Sequence, residues 1–350
     1  MAHDQLFGHH RVGPIKLAVR VVAAYPRTCY RGDQPIGNPP VCVTNTAERD
    51  FHNAMKVLIT GAGGQVGHEL QACRWPVDAL TVALGHDDLD IANRRQVAER
   101  LAPPLDAVVN LAAYTAVDRA EDEREYAWRA NAEGPAVLAK RCAELEIPLI
   151  HLSTDYVFDG RKGRPYIEDD LTRPLNHYGA SKLRGEEAVR ARSSRHIILR
   201  TASVFGEFGQ NFVKLMLRLG VERSSFGVVS DQVSCPTPAR DIATAIVRII
   251  ERLAGAPHSE PWGVYHFCGR PSVTRFRLAQ EIFKIASLRG RPVPELHAIT
   301  AAEYPRAAQR PAFSAMNCGK IQQTFNIAAP SWADALPQVV SALLDQEESL

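Results

Sequence analysis

The stretch from Met55 to Leu70, MKVLITGAGGQVGHEL, constrains the fold more than any other part of the chain. Residues 57–59 form an apolar run rich in β-branched side chains, which favours a buried strand of a parallel sheet. Val66 and Leu70 stand four residues apart, a spacing typical of one helix face. The glycines Gly61, Gly63, Gly64 and Gly67 follow the apolar run. An ordinary βα turn also uses glycine, but the flanking strand and helix favour a site for a dinucleotide pyrophosphate, because backbone N–H groups can approach the anion there.

The composition argues against several classes of function. A formal net charge of +2 over 350 residues argues against a nucleic-acid partner held by a basic surface. No apolar run approaches the roughly 20 residues of a membrane span, so no membrane partner is expected. The seven cysteines are odd in number and lack a CxxC pair, which favours a reducing compartment over a disulfide framework or a zinc site. We therefore expect a cytoplasmic protein.

Residues 1–54 differ from the rest of the chain. They contain Pro39-Pro40, His9-His10 and several arginines, without a sustained helix or strand period. We predict a disordered extension or a misassigned start, because Met55 opens the first strand directly. An arginine-rich, acid-poor presequence is the alternative.

The region after the second predicted strand bears on the choice of cofactor. Residues 78–84 indicate that strand, and Gly85 and His86 follow it. In an NAD site an acidic side chain at this point takes the ribose hydroxyls. Gly85 leaves room for a 2′-phosphate, so we expect NADPH or NADH, with NADP or dual use favoured. Asp90 and Ile91 are expected beside the adenine.

A hydroxyl, a tyrosine and a lysine follow in an order that suits ketone reduction. Thr154 comes directly after a predicted strand at residues 149–152, where ligands bind in open α/β sheets. Tyr178 and Lys182 are four residues apart and share a helix face. We expect the ammonium to lower the pKa of the tyrosine, the tyrosine to donate a proton, and the threonine to orient the carbonyl. A YxxxK pair alone is common by chance, and its weight comes from following the glycine turn.

The remaining pattern predicts alternating strands and helices. Further strands are expected at residues 106–111, 197–201, 228–229 and 263–268. Helices are expected at residues 93–101, 120–146, 211 onward, 241–253, 276–287 and 332–344. Residues 300–321 suggest an irregular, proline-marked segment, and Asn131 is expected to bond a neighbouring loop.

In order and spacing, the motifs resemble those of the dTDP-4-dehydrorhamnose reductase family, in the extended short-chain dehydrogenase/reductase superfamily. The segments that carry the resemblance are GAGGQVGHEL, NLAAYTAVDRAE, STDYVFDG, PLNHYGASKLRGE, RTASVFG, GQNF, DQVSCPT and AQRPAFSAMN. It implies an α/β fold: a Rossmann-type doubly wound parallel sheet, mainly in residues 55–205, and a smaller α/β substrate-binding domain, mainly in residues 206–344, with some segments returning to the first domain. It also implies that NAD(P)H reduces the C4 ketone of dTDP-4-dehydro-β-L-rhamnose to dTDP-β-L-rhamnose, the last step of dTDP-L-rhamnose synthesis for cell-surface polysaccharide.

The resemblance also implies a set of site residues. Tyr178 would be the proton donor, Lys182 its electrostatic helper and Thr154 the carbonyl-orienting hydroxyl. Cofactor contacts are expected at Gly61, Gly64, Gln65, Val66, Gly67, Asp90, Ile91, Ala112, Ala113, Tyr114, Tyr178 and Lys182. Substrate contacts are expected at Thr115, Val117, Asp118, Thr154, Asn211, Gln232 and Arg310, the last suited to a diphosphate.

Two positions bear on how closely the chain follows the family. Family members usually carry tryptophan where this chain has Ser203, and losing that aromatic side chain would loosen the sugar pocket. Some relatives bind magnesium at a dimer interface through glutamates, and Glu69 matches one such position, with a solvated helix glutamate as the alternative. We expect a monomer or a homodimer.

Two other functions stay open at this stage. One is a different nucleotide-sugar reaction on the same scaffold, such as 4-epimerisation or dehydration. An epimerase must hold NAD tightly, which suits an acidic residue where the chain has Gly85. The other is a non-catalytic regulatory subunit resembling that of methionine adenosyltransferase, against which the set Thr154, Tyr178 and Lys182 argues.

Overall fold

The computed structural model describes residues 54–75, 79–255 and 261–348. Its strands are β1 (Met55–Thr60), β2 (Ala79–Leu84), β3 (Ala107–Asn110), β4 (Leu149–Thr154), β5 (His196–Thr201), β6 (Val204–Phe205), β7 (Ser225–Val229), β8 (Val233–Ser234), β9 (Thr237–Pro238), β10 (Gly263–His266), β11 (Val273–Thr274) and β12 (Glu295–Ile299). Its helices are α1 (Gln65–Ala72), α2 (Arg94–Arg100), α3 (Arg124–Trp128), α4 (Gly134–Glu144), α5 (His177–Arg192), α6 (Phe212–Glu222), α7 (Ala239–Gly255), α8 (Arg275–Ser287), α9 (Gly319–Phe325) and α10 (Trp332–Glu348). The extension predicted over residues 1–54 falls, except for Ala54, outside these ranges.

Six strands form one parallel sheet in the order β2-β1-β3-β4-β5-β10. The strand order reverses between β1 and β3, and ligands bind at such a switch point, outside the carboxyl ends of the strands. The central strands are apolar and buried, as Val57, Ile59 and Val109 illustrate. The predicted α/β class and doubly wound parallel sheet are therefore confirmed.

Helices cover both faces of the sheet. On one face the core combines strand residues with Leu70 of α1, Ile246 of α7 and Phe325 of α9. On the other face, Leu138 of α4 and Val189 of α5 pack against the strands. Each such fully buried side chain contributes about 1.5–3 kcal/mol by leaving water, so these two layers hold the carboxyl edge of the sheet in place.

A second core lies in the C-terminal half of the described chain. It joins α6, α8 and α10 through side chains such as Met216, Phe283 and Leu336, with Val228 of β7. Strand β7 pairs in parallel with β12. In contrast, α7 and β10 pack with the six-stranded sheet although they lie between α6 and α8 in sequence. The division into domains at residues 55–205 and 206–344 stays a prediction.

The two-residue strands β6, β8, β9 and β11 were not predicted, and the structure differs from the sequence prediction in three further places. The helix predicted over residues 120–146 is broken into a 3-10 turn (Arg119–Glu121), α3, a π-helical turn (Arg129–Glu133) and α4. The segment predicted as irregular ends in α9, which begins at Gly319. Strand β12 was not predicted, because its polar and half-exposed residues gave no apolar alternation. Within the described ranges, none of the helices is long and apolar enough to cross a membrane.

Candidate active site

An open groove of about 1510 Å³ runs along the carboxyl edge of the sheet. Its lining begins at the glycine turn after β1, passes the loops after β2, β3 and β4, and reaches Ser203 after β5. Residues of this lining that were predicted as site residues are Gly61, Gly64, Gln65, Val66, Gly67, Asp90, Ile91, Ala112, Ala113, Tyr114, Thr115, Val117, Thr154, Tyr178 and Lys182. The fold thus brings most of the predicted residues together.

The glycine turn is shaped for close approach of backbones. Gly61 has a φ of 70°, which favours glycine, and a Cβ there would overlap the backbone of Leu111 and Ala112 after β3. Gly64 is the N-cap of α1 and no side chain caps that helix, so its first N–H groups are left for a ligand. At Gly63 a Cβ would meet nothing within 4 Å. The turn is therefore an open cradle for an anion.

The loop after β2 carries His86 and several carboxylates, two of which are bonded to other groups of the protein. Gly85 and His86 line the groove, and the Asp88 carboxylate accepts a hydrogen bond from the Gly85 N–H at 2.9 Å. Asp90 pairs with Arg129 at 2.6 Å. Burial opposes ionisation of Asp90, but the hydrogen bonds from Arg129 and the Ala92 N–H outweigh it and lower its pKa.

A buried polar ladder crosses the sheet at the ends of β1, β3 and β4. Thr60 Oγ1 donates to Asn110 Oδ1 at 2.7 Å, and Asn110 Nδ2 lies 2.9 Å from His151 Nδ1. The Ala112 N–H also donates to Asn110 Oδ1, at 3.2 Å. Burial, helped by the Lys182 charge, lowers the pKa of His151. The ladder fixes the backbone that leads from β3 into the groove.

Asn131 ties the loop after β3 to helix α5. Its Oδ1 accepts the Tyr114 N–H at 2.9 Å, and its Nδ2 donates to the Tyr114 carbonyl at 3.0 Å and to Ser181 Oγ at 3.0 Å. Its side chain is fully buried. Asn131 therefore bonds a neighbouring loop, as the sequence predicted.

Helix α5 places Tyr178 and Lys182 opposite the end of β4. Asn176 caps the helix by accepting the Gly179 N–H at 2.8 Å, which fixes where its first turn starts. Lys182 Nζ donates to the Leu152 carbonyl at 2.7 Å. The Tyr178 ring makes an edge contact with the Tyr156 ring, with centroids 5.7 Å apart.

The pKa values at this site are set mainly by burial. Burial lowers the pKa of Lys182 to about 8, although the Glu186 carboxylate opposes the shift. Burial raises the pKa of Tyr178 above its usual value, and a hydrogen bond with Thr154 opposes the rise only in part. The expected lowering of the tyrosine pKa by Lys182 is therefore wrong, because desolvation of the phenolate dominates and the nearby Asp155 and Tyr156 add to the rise. Tyr178 is accordingly a neutral phenol at pH 7.

A buried ion pair under the site was missed by sequence reasoning. Arg200 of β5 donates to Glu186 at 2.9 Å from Nε and at 2.7 Å from Nη2, and Ser153 Oγ donates to the same carboxylate at 2.6 Å. Glu186 is 0% exposed and Arg200 2%. The signal was available, because Glu186 follows Lys182 by four residues and Arg200 interrupts an apolar strand.

Asp155 is a second missed residue. It lines the groove, is buried, and accepts a hydrogen bond from Thr154 Oγ1 at 3.1 Å. Its other oxygen has no hydrogen-bond partner among the described residues. Burial raises its pKa to about 6. The polar segment STDYVFDG was noted in the sequence, but the burial of this carboxyl could not be read from it.

Four predicted substrate residues lie outside the groove lining. Arg310 and Asp118 form a two-bonded ion pair, with Nη1–Oδ1 at 2.9 Å and Nη2–Oδ2 at 2.8 Å. The hydrogen bond from Arg310 lowers the pKa of Asp118. Asn211 caps α6 and donates to Gln65 Oε1 at 3.1 Å, so it contacts the glycine turn. Gln232 is half-buried between β7 and β8.

Glu69 has acidic neighbours but not the arrangement of a metal site. Burial raises its pKa, and Glu207 adds to the rise. Across the part of the chain that the structure describes, no group of three or more His, Cys, Asp or Glu side chains is placed to hold a metal ion. The residues present do not fit a magnesium site.

Comparison with known proteins identifies the family. A family model described as RmlD substrate binding domain matches residues 55–344. The chain belongs to the dTDP-4-dehydrorhamnose reductase family. It is 43% identical over 293 residues to the dTDP-4-dehydrorhamnose reductase of Sinorhizobium fredii, covering 83% of this chain and 98% of that one. The predicted resemblance is confirmed.

Solved structures agree with this assignment. A dTDP-4-dehydrorhamnose reductase from Clostridium acetobutylicum superposes with a TM-score of 0.77 at 33% identity, covering 83% of this chain and 100% of that one. The Bacillus anthracis enzyme, solved in complex with NADP, superposes with a TM-score of 0.76 at 33% identity, covering 82% and 98%.

Proposed function

We propose that this protein reduces the C4 ketone of dTDP-4-dehydro-β-L-rhamnose to give dTDP-β-L-rhamnose, with NADPH or NADH as the reductant. The proposal rests on one observation. In a chain of this family, a single groove is lined both by the glycine turn and by Thr154, Tyr178 and Lys182. The product is the activated rhamnose used for cell-surface polysaccharide.

The groove fits a nicotinamide dinucleotide. The uncapped start of α1 beside the open turn at Gly63 suits a pyrophosphate, which the backbone of Gly64, Gln65 and Val66 would hold, with Gln65 and Val66 offering N–H groups while the Gly64 N–H donates to the Gly61 carbonyl at 3.0 Å. The small side chains of Ala112 and Ala113 would leave room for the cofactor along the groove. When bound, the nicotinamide supplies the hydride.

The chain's own residues supply the proton and the orientation. Tyr178, neutral at pH 7 because burial raises its pKa, donates its proton to the carbonyl oxygen as that oxygen gains charge. Lys182, on the same face of α5, stabilises the phenolate that is left. Thr154 contacts the carbonyl from the end of β4 and orients it. Together these roles account for the reduction of the ketone, in which the carbonyl carbon gains a hydride and the carbonyl oxygen gains a proton.

The loop after β2 supports use of NADPH as well as NADH. A carboxylate that faces the ribose would repel a 2′-phosphate, but the Asp90 charge is paired with Arg129, and neither Asp87 nor Asp88 lines the groove. His86, Arg119 and Arg129 also line the groove. We propose that Arg129 or Arg119 contacts the 2′-phosphate.

The remaining substrate contacts stay predictions. Arg310 would bind the diphosphate. It lies next to the groove, since Tyr156, which lines the groove, is close enough to raise the pKa of Arg310. Asp118, Asn211, Gln232, Thr115 and Val117 are proposed as further contacts. A homodimer or monomer and a cytoplasmic location are likewise predictions from the sequence.

Product analysis tests the proposal. Purified protein is given NADPH or NADH with dTDP-4-dehydro-β-L-rhamnose generated in situ, and in parallel with UDP-glucose. The proposal expects oxidation of the cofactor and dTDP-β-L-rhamnose as the product, identified by NMR. Conversion of UDP-glucose without net cofactor oxidation would instead establish an epimerase. Dinucleotide binding without turnover on either sugar would favour a regulatory subunit.

A further inference from the structure

Three thiols meet behind the loop that carries Ser203. Cys268 follows β10, Cys318 precedes α9, and their Sγ atoms are 3.7 Å apart. The Cys235 thiol, after β8, lies within hydrogen-bonding reach of Cys268. These residues share a small apolar core with Phe158 and other side chains.

The two closest thiols have unequal environments. Cys318 is partly exposed, whereas Cys268 is buried. The Cys268 N–H donates to Cys318 Sγ at 3.3 Å, which stabilises a thiolate there. The hydrogen bond from the Cys268 thiol lowers the pKa of Cys318 in spite of partial burial. Cys318 is therefore the more accessible of the two thiols and the one whose thiolate the fold stabilises.

We propose that Cys268 and Cys318 form an oxidisable pair, which closes to a disulfide when the protein meets hydrogen peroxide and thereby lowers turnover in the neighbouring groove. The Cys318 thiolate attacks one peroxide oxygen, so an S–O bond forms, the O–O bond breaks, and the departing hydroxide leaves as water. The Cys268 sulfur then attacks Cys318, so the S–S bond forms and the S–O bond breaks. A second water leaves with the Cys268 proton. Two thiols lose two electrons and one peroxide gains them.

Formation of the disulfide would affect the groove through a short series of contacts. A disulfide requires the sulfurs to move from 3.7 Å to about 2.05 Å. Next to Cys268, a Cβ on Gly269 would overlap the Pro236 carbonyl oxygen, so these two backbones have no space to absorb the shift. The Gly269 N–H donates to Thr237 Oγ1 at 3.1 Å, and the Thr237 N–H donates to the Ser203 carbonyl at 3.2 Å.

Ser203 is sensitive to such a shift. It lines the groove with a φ of 44°, in the left-handed region that few side chains favour, and its Oγ lies 2.9 Å from Ser234 Oγ. Ser234 directly precedes Cys235 in the chain. Movement of the thiol cluster therefore displaces a groove residue without touching Tyr178, Lys182 or Thr154.

Peptide mapping tests the disulfide directly. The three thiols fall in different tryptic peptides, residues 224–240, 253–275 and 307–320. The full-length protein is treated with peroxide, alkylated and digested. The proposal expects a reducible link between peptides 253–275 and 307–320 that persists in Cys235→Ala and is absent from Cys318→Ser and Cys268→Ala. A link to peptide 224–240 instead, or full alkylation of Cys268 and Cys318 after peroxide, overturns it.

Turnover tests the second half of the proposal, and this readout rests on the proposed function. We expect peroxide to lower kcat/KM of the wild type roughly tenfold, since a displacement of about 1 Å in an active site has effects of this order or more. Dithiothreitol should restore it, Cys318→Ser should resist peroxide, and Cys73→Ser should respond like the wild type. A mapped disulfide with unchanged turnover overturns the coupling. If the protein reduces no sugar at all, the proposed function fails and the mapping alone decides the disulfide.

Discussion

The buried ion pair below Lys182 gives the most quantitative prediction. Glu186→Gln keeps the shape of the side chain but removes the negative charge that pairs with Arg200. Both side chains are buried, with Glu186 0% and Arg200 2% exposed. Removing one partner of a buried pair costs about 3–5 kcal/mol, because the other charge stays buried without compensation. We expect a loss of this size in the free energy of unfolding, measured by urea denaturation.

The neighbouring residue provides a matched control. Glu187 pairs with Arg184 at 3.0 Å on the surface, with side chains 43% and 59% exposed. Glu187→Gln makes the same chemical change and should cost less than about 1 kcal/mol, because exposed pairs are solvated and screened. The double variant Glu186→Leu with Arg200→Met should recover most of the stability, since it leaves no unpaired charge.

The same substitution has a catalytic consequence. Glu186 opposes the burial that lowers the pKa of Lys182 to about 8, so its loss should lower that pKa further. The alkaline limb of the pH profile of kcat/KM should then move to lower pH. If Glu186→Gln is no less stable than Glu187→Gln, or if that limb stays in place, the ion pair does not support the site as described.

Three further predictions follow from the groove. In the wild type, kcat/KM should fall above about pH 8, where Lys182 loses its proton, and a flat profile from pH 7 to about 10 would exclude a role for its charge. Burial raises the pKa of Asp155 from 3.8 to about 6, so its proton is bound more tightly in the folded state and stability falls as pH rises through this range. Asp155→Asn should abolish about 2.4 kcal/mol of that fall between pH 4 and 7 in urea titrations, and parallel curves would contradict the raised pKa. Gly61→Ala should weaken dinucleotide binding at least about tenfold by fluorescence titration, whereas Gly163→Ala, with a similar φ of 67° but nothing within 4 Å, should not, and equal binding by both would refute the overlap with the strand-end backbone.

The parts of the fold that depend on local pattern could be predicted from sequence. Strand β1, the glycine turn and α1 lie within the eighteen residues Met55–Ala72, and their periods and φ requirements are local. Asn211 was expected at a helix start, and it caps α6 by accepting the Lys214 N–H. Helix-face spacing likewise placed Tyr178 beside Lys182.

The parts of the fold and of the site that depend on contacts between distant residues could not be predicted from the sequence. The π-helical turn at Arg129–Glu133 includes Asn131, which bonds Tyr114 and Ser181, and neither contact is visible in the helical pattern of residues 120–146. Arg310 has the charge for a diphosphate, but its partner Asp118 lies 192 residues away in sequence. The pKa of Tyr178 depends on how deeply the fold buries it, which an i, i+4 lysine does not reveal.

The identity of the proton donor is the central claim, and one comparison of variants tests it most directly. Oxidation of NADPH by dTDP-4-dehydro-β-L-rhamnose is followed for the wild type, Tyr178→Phe and Tyr304→Phe, the last being an exposed tyrosine outside the groove. The account predicts a fall in kcat of about 10²–10⁴-fold for Tyr178→Phe, with unchanged NADPH affinity, and near wild-type turnover for Tyr304→Phe. Turnover of Tyr178→Phe within a few-fold of the wild type would contradict it.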